Sequence, residues 1–229
     1  AGSDMSTARR IGAPDAKNRG VLLDAAEALM IDESYAAVTS RRVAERAGLK
    51  PQLVHYYFRT MDELFLAVFR RRAEQGLVVL EAALKSAQPL RAIWLFSTDP
   101  EATRLTMEFM GLANHRKDLR AEISYYAERF REEQRVAMTA ALQRYGVDPG
   151  DVPPVVWAVI GTSLSWALVM EQALGMSAGH AETLEFVERW LRELEGEALP
   201  IEEIFGDLAG SGFEAAAGKV RAPGAHATE

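Results

Sequence analysis

Apolar side chains recur along this chain at three- and four-residue spacing, and the alternation that would mark β-strands is missing. Over residues 16–33, Leu22, Ala25, Ala26, Leu29 and Met30 share one face of a helix. From Thr39 to Phe58 the pattern divides into two short helices at Gly48, a residue free to take the positive φ of a tight turn. Thr60-Met61-Asp62-Glu63 reads as a capping box. The Thr60 hydroxyl accepts from the Glu63 N–H while Glu63 reaches back to Thr60, and a fourth helix is expected to run to about Leu84. Pro89 opens a short helix with Ile93, Trp94 and Phe96. Asp99-Pro100, an N-cap followed by proline at the first helical position, starts another that reaches about Asn114. A long helix over 117–145 ends at Gly146, and Asp148-Pro149-Gly150-Asp151 is a loop. An apolar helix over 153–174 ends at Gly175, a further helix over 180–195 ends at Gly196, and a short piece lies near Ile201–Leu208.

The sum is an all-α chain of about nine helices with no internal repeat. A compact three-helix module over 16–60 precedes a larger helical bundle over 61–208. The tails, 1–15 and the Gly- and Ala-rich 209–229, are expected to be disordered. Ala1-Gly2-Ser3-Asp4 reads as a tag remnant with Met5 as the native start, and no charged-then-apolar leader follows.

Composition sharpens this picture. At 48% apolar residues the chain can bury a sizeable core. Without cysteine it has no disulfides, thiolate metal sites or cysteine nucleophiles, which fits a cytoplasmic setting. The net charge of −7 argues against nucleic acid until its distribution is examined. Residues 1–60 carry nine Lys/Arg against seven Asp/Glu, whereas the remainder is strongly acidic. A module that meets DNA needs only local positive charge, and two copies bind better than one.

The string from Thr39 to Leu64, TSRRVAERAGLKPQLVHYYFRTMDEL, suits a helix-turn-helix. Val43, Ala44, Ala47, Leu49, Val54 and Phe58 supply the small and apolar contacts that pack one helix across the other, with Ala44 permitting close approach. The opposite face of the helix beginning at Lys50 then carries Lys50, Gln52, Leu53 and Tyr56. Gln can pair with adenine in bidentate fashion, and Leu or a Tyr ring can meet a thymine methyl in a major groove. Thr39, Ser40, Arg41 and Arg42 open the preceding helix, where backbone N–H groups and the helix dipole favour phosphate. Phe58 reads as core, Tyr57 as either core or phosphate contact, and His55 as a packed or hydrogen-bonded histidine.

Over roughly residues 17–66 the chain resembles the TetR (tetracycline-repressor-like) family of bacterial regulators. The resemblance rests on Thr39, Val43-Ala44, Ala47-Gly48-Leu49, His55-Tyr56-Tyr57-Phe58 and Asp62-Glu63-Leu64. It implies a homodimer that binds a palindromic double-stranded DNA operator, with Tyr56 and Tyr57 touching phosphates through their hydroxyls. Met61 stands where the family usually has a phosphate-contacting lysine, and His55 where it commonly has tyrosine. The lost charge at Met61 is expected to flatten the salt dependence of binding slightly.

The second half carries the expected partner and ligand surfaces. Residues 155–174 are apolar on nearly all sides. Thr162, Ser163, Ser165, Glu171 and Gln172, and the lack of a basic flank, favour a buried bundle or interface helix over a membrane span. The resemblance implies that the last two long helices pair with their copies. Ala158, Gly161 and Ser165 would permit close approach there, and Leu184, Val187, Trp190, Leu191 and Leu194 form the seam. Trp94, Phe96, Met107, Phe109, Met110, Tyr125, Tyr126, Phe130, Trp157, Trp166 and Met170 concentrate bulky, partly adaptable side chains. Such sets line pockets for small apolar or amphipathic molecules, with Asn114, His115, Tyr126, Thr162 and Glu171 as polar anchors. Each of the bulky residues alone reads more often as plain core than as ligand lining.

The expected function is a ligand-responsive repressor. A molecule that fits better when the helix from Met61 to Leu84 tilts would move the two recognition helices off their spacing of about 34–36 Å. The rivals are a non-switching DNA-binding or structural protein with a filled core, and an enzyme. The sequence offers no His-Glu-x-x-His, phosphate loop or Gly-x-Ser-x-Gly, and its four histidines are scattered, so neither an enzyme nor a cofactor is expected.

Overall fold

The computed structural model describes residues 17–148 and 150–206; both expected tails and Pro149 lie outside the described residues. Among these residues the chain is helical, with ten α-helices and no strand. The helices are α1 Lys17–Asp32, α2 Ser40–Arg46, α3 Pro51–Tyr57, α4 Met61–Leu84, α5 Pro89–Ser97, α6 Pro100–Ala113, α7 Lys117–Arg144, α8 Pro154–Ala173, α9 His180–Glu195 and α10 Ile201–Phe205. A single 3₁₀ turn, Tyr35–Ala37, joins α1 to α2, and the hydrophobic pattern does not announce it. Its first N–H, on Tyr35, donates to Glu108 Oε2 at 2.6 Å, a partner 73 positions away that no local pattern reveals.

The chain divides into two compact units. The first comprises residues 17–72 with 108–122, so the module expected to end at residue 60 takes in more of the chain. Side chains explain the enlargement. Leu64, Phe65, Val68, Phe109 and Leu112 are buried, Phe69 meets Phe109 edge-on at 5.1 Å, and Arg71 donates to Asp24 and Glu27 of α1 at 2.6 and 2.9 Å. Within this unit α2 packs on both α1 and α3.

The expected capping box is half right. The Glu63 N–H donates to the Thr60 hydroxyl at 3.1 Å, but the Glu63 carboxylate accepts from the Arg59 N–H at 2.8 Å rather than from Thr60. Asp99 caps α6 as expected, accepting from the Glu101 N–H at 2.9 Å.

The second unit, residues 73–107 with 123–206 of the described chain, is built around α5, which packs on α8, α9 and α10. Four N–H groups open any helix without an internal partner. Pro89 at the first position removes one, and Glu195, at the end of α9, accepts from the Leu90 and Arg91 N–H groups at 2.8 and 2.9 Å. The Tyr145 hydroxyl donates to the same carboxylate at 2.9 Å. Gln88 donates to the Glu195 and Glu197 carbonyls, and Arg91 forks onto Glu188 at 2.6 and 3.1 Å. Around this node Leu90, Met138, Ala141, Leu142, Val187 and Leu191 form one apolar cluster, and Val79, Ala83, Ala92, Ile204 and Phe205 form another.

Burial first, and then the bond to Glu195, pushes the Tyr145 hydroxyl up to about 12. A folded value above the unfolded one stabilises the fold fully below pH about 10, and the contribution drains away as pH climbs through about 12. Tyr145→Phe is therefore expected to flatten this part of the alkaline decline, measured as the difference between wild-type and variant urea midpoints across that window.

Candidate nucleic-acid interface

The reversal between α2 and α3 is built from backbone hydrogen bonds and one glycine. Leu49 N–H donates to Ala44 O at 2.9 Å and Gly48 N–H to Glu45 O at 3.1 Å, the paired closure of a helix end that requires a left-handed residue between them. Gly48 takes φ +65° there. Lys50, extended, then starts α3, with Pro51 at its first position. This geometry turns Val54 and Phe58 inward, at 1% and 2% exposure. Lys50, Gln52, His55 and Tyr56 are exposed, with Leu53 and Tyr57 half-buried at the edge of that face. The Tyr56 and Tyr57 rings meet edge-on at 5.1 Å.

The start of α2 lies in the same unit. The Thr39 hydroxyl accepts from the Arg42 N–H at 3.3 Å and so caps the helix, Ser40 is half-buried, and Arg41 is exposed. Two expectations need correction. His55 is not packed; it lies on the exposed face, because the inward positions of this short helix are taken by Val54 and Phe58. Arg42 is not an open cation, because Glu33, one residue beyond α1, accepts from both ends of its guanidinium at 2.8 and 2.6 Å. Asp32 likewise holds Arg46 at 2.5 Å. These acidic partners were missed because nothing in the local pattern pairs the end of one helix with the middle of the next.

The family model for bacterial regulatory proteins of the tetR family matches residues 22–68, the stretch that folds into α1–α3 and the start of α4. Over these residues the chain is similar to the tetR family. The chain is 28% identical over 131 residues to the HTH-type transcriptional regulator BetI of Rhizobium meliloti (strain 1021), covering 53% of this chain and 64% of that one. It is 32% identical over 83 residues to the HTH-type transcriptional activator FasR of Mycolicibacterium smegmatis, covering 34% of this chain and 38% of that one. These matches therefore span less than two thirds of either relative. Two solved Rhodococcus structures share the fold at 18% identity. One, described as a TetR-family transcriptional regulator, has a TM-score of 0.61 and covers 79% of this chain and all of its own. The other, a transcriptional regulator, has a TM-score of 0.56 with 79% and 99% covered.

The residues expected to line a ligand site are dispersed. Met110 and Asn114 belong to the first unit and are exposed, and Phe109 is buried core there. In the second unit Phe96 stacks on Phe130 at 6.1 Å, Trp94 packs against the Leu90 cluster, and Trp166 and Met170 are half-buried. Tyr126 is buried with its hydroxyl on Glu74 at 2.5 Å, while Met107 and Trp157 are exposed. Thr162 returns its hydroxyl to the Ala158 carbonyl at 2.8 Å and accepts from Arg131 at 3.4 Å, beside buried Gln134. Arg131 and Gln134 are polar partners that the sequence reading missed.

The expected dimer residues also need correction. Ala158, Ser165, Val187 and Leu191 are buried within the protomer, and Trp190 and Leu194 pack against the same cluster, because α8 and α9 turn these faces toward their own unit. Leu184 and Gly161 are half-buried. The outward apolar residues are instead Val156, Trp157, Val159 and Ile160 of α8, Phe186 of α9, and Leu174 and Met176 between them. By length and composition α8 could cross a bilayer.

Two glycines of the first unit separate backbone strain from crowding. An added Cβ meets nothing within 4 Å at either Gly20, in α1, or Gly48. Gly48→Ala is expected to cost about 1–2 kcal/mol through its left-handed backbone alone, whereas Gly20→Ala should stabilise by about 0.4–1 kcal/mol. Urea unfolding of both variants checks the contrast.

Proposed function

We propose that this chain is a DNA-binding transcriptional regulator that acts as a homodimer, with α3 entering the major groove. The observation that carries this reading is the division of α3: Val54 and Phe58 inside, with Lys50, Gln52, His55 and Tyr56 outside on an unbroken face. Arg41 and the α2 start would meet phosphate, and Gln52 and Leu53 would meet base edges. Tyr56 and Tyr57 would add hydroxyl contacts to the backbone. A cytoplasmic site of action follows from DNA as the partner.

Dimerisation accounts for the outward apolar residues of α8, of α9 and of the link between them. Ile160 is 50% exposed, Phe186 58% and Leu174 76%, a set that is costly to leave in water. Gly161 supports the same reading. A helix interior disfavours glycine, and among the described residues nothing beyond its own stretch of helix comes within 4 Å of an added Cβ, so packing among them does not demand it.

Within this reading the chain is a repressor released by a small apolar or amphipathic molecule, held among Trp94, Phe96, Phe130, Trp166 and Met170 with Thr162 as an anchor. The likeness to a relative named as an activator favours the opposite sign of regulation and is the second reading. A reporter placed downstream of a selected operator separates the two by the direction of its response to deletion of the regulator.

Two tests address the core of the proposal. Tyr56→Ala, Gln52→Ala and Arg41→Ala should each weaken binding to a duplex enriched from a random pool by roughly tenfold, without lowering the unfolding midpoint. Ile160→Glu should convert a dimer to a monomer in sedimentation velocity and lose tight duplex binding together with it. Unchanged affinity in both Gln52→Ala and Tyr56→Ala would remove α3 from the interface.

A further inference from the structure

The first unit neutralises its own arginines. Arg42 and Arg46 stand one turn apart on α2, and the two carboxylates at the end of α1 hold them, Glu33 on Arg42 through two bonds and Asp32 on Arg46 through one. Arg41, their neighbour, is exposed. A carboxylate offers a guanidinium the same two-oxygen fork that a phosphate does, so Arg42 must release Glu33 before it can grip a DNA backbone. The bond to Arg42 also holds the Glu33 carboxyl below its ordinary value, so Glu33 stays charged near neutral pH.

We propose that Glu33 is an internal phosphate mimic that withholds Arg42 from DNA and so limits sequence-independent binding. The proposal rests on the DNA-binding reading above and concerns how that site is tuned. Sequence-independent affinity comes from the number of phosphates neutralised. Keeping Arg42 occupied leaves more of the binding to the side chains of α3, which read bases. The clamp thus lowers background binding while leaving the recognition face intact, and raises the ratio of specific to non-specific affinity. The Asp32–Arg46 pair, two-fifths to half exposed, pins the other end of α2.

The experiment measures binding of the full-length protein to a fluorescent mixed-sequence duplex by anisotropy over a range of salt. Glu33→Gln keeps the shape and removes the charge. It should tighten binding about fivefold or more at low salt and steepen the slope of log K against log salt by about 0.9 per protomer, one added phosphate contact each. Arg42→Ala alone should change affinity less than about twofold, and adding it to Glu33→Gln should abolish the gain. Asp32→Asn removes the same charge one residue away without freeing Arg42, and should leave the slope unchanged.

An equal gain in Asp32→Asn would reduce the effect to net charge and overturn the clamp. So would an unchanged Glu33→Gln, or an Arg42→Ala loss as large as that of Arg41→Ala, which would place Arg42 on phosphate already. Glu33→Ala, read beside thermal midpoints, repeats the test if the glutamine disturbs folding. Failure of the wild type to bind any duplex would sink the DNA reading and the clamp together. Duplex binding that is sensitive to Arg41→Ala but indifferent to Glu33→Gln would sink the clamp alone.

Discussion

Between Arg46 and Pro51 the chain reverses direction through Ala47, Gly48, Leu49 and Lys50, and the outward character of α3 depends on that reversal. The left-handed Gly48 allows Leu49 and Gly48 to return their N–H groups to the last carbonyls of α2, which closes the helix and sets the angle at which α3 leaves. Val54, and Phe58 at the cap four residues on, are then buried, while Gln52, His55 and Tyr56 of this seven-residue helix stay exposed. A short helix buried along one stripe leaves its other positions to a partner. The residues found there combine a cation, an amide, a histidine and a phenol, which suits a polar, hydrogen-bonding surface better than an apolar one.

The second unit solves a different problem. Its α5 begins inside the unit, where unpaired N–H groups would be costly. One carboxylate, Glu195, supplies both acceptors and takes a phenol as well, so α5, α7 and α9 are joined at a point by hydrogen bonds rather than by apolar packing alone. With the inner faces of α8 and α9 occupied in this way, the bulky apolar residues Val156, Trp157, Ile160 and Phe186 remain outside.

Helix limits were legible because the chain punctuates them. Pro51, Pro89, Pro100 and Pro154 open helices, and Gly48, Gly175 and Gly196 follow helix ends, all visible without coordinates. The exposed positions of α3 were legible too, since one buried pair at Val54 and Phe58 orients a helix of this length. The misreadings share a cause. Which face of α8 turns inward cannot be read from a segment apolar all round, so Ala158 and Ser165 were assigned to a partner although they pack within their own unit. The Glu33–Arg42 and Tyr35–Glu108 bonds join residues that only the tertiary fold brings together. A ligand site was not legible in the same way, because a tryptophan such as Trp94, which packs on an apolar cluster, would suit a core and a pocket with the same apolar surface.

The claim that α3 occupies a major groove is tested most directly by dimethyl sulfate protection of a duplex enriched by this protein. The reagent methylates guanine N7, which lies on the major-groove edge. Two short protected stretches about one helical turn apart are the expected result. Unaltered N7 reactivity on a duplex that the protein nonetheless binds would contradict the account.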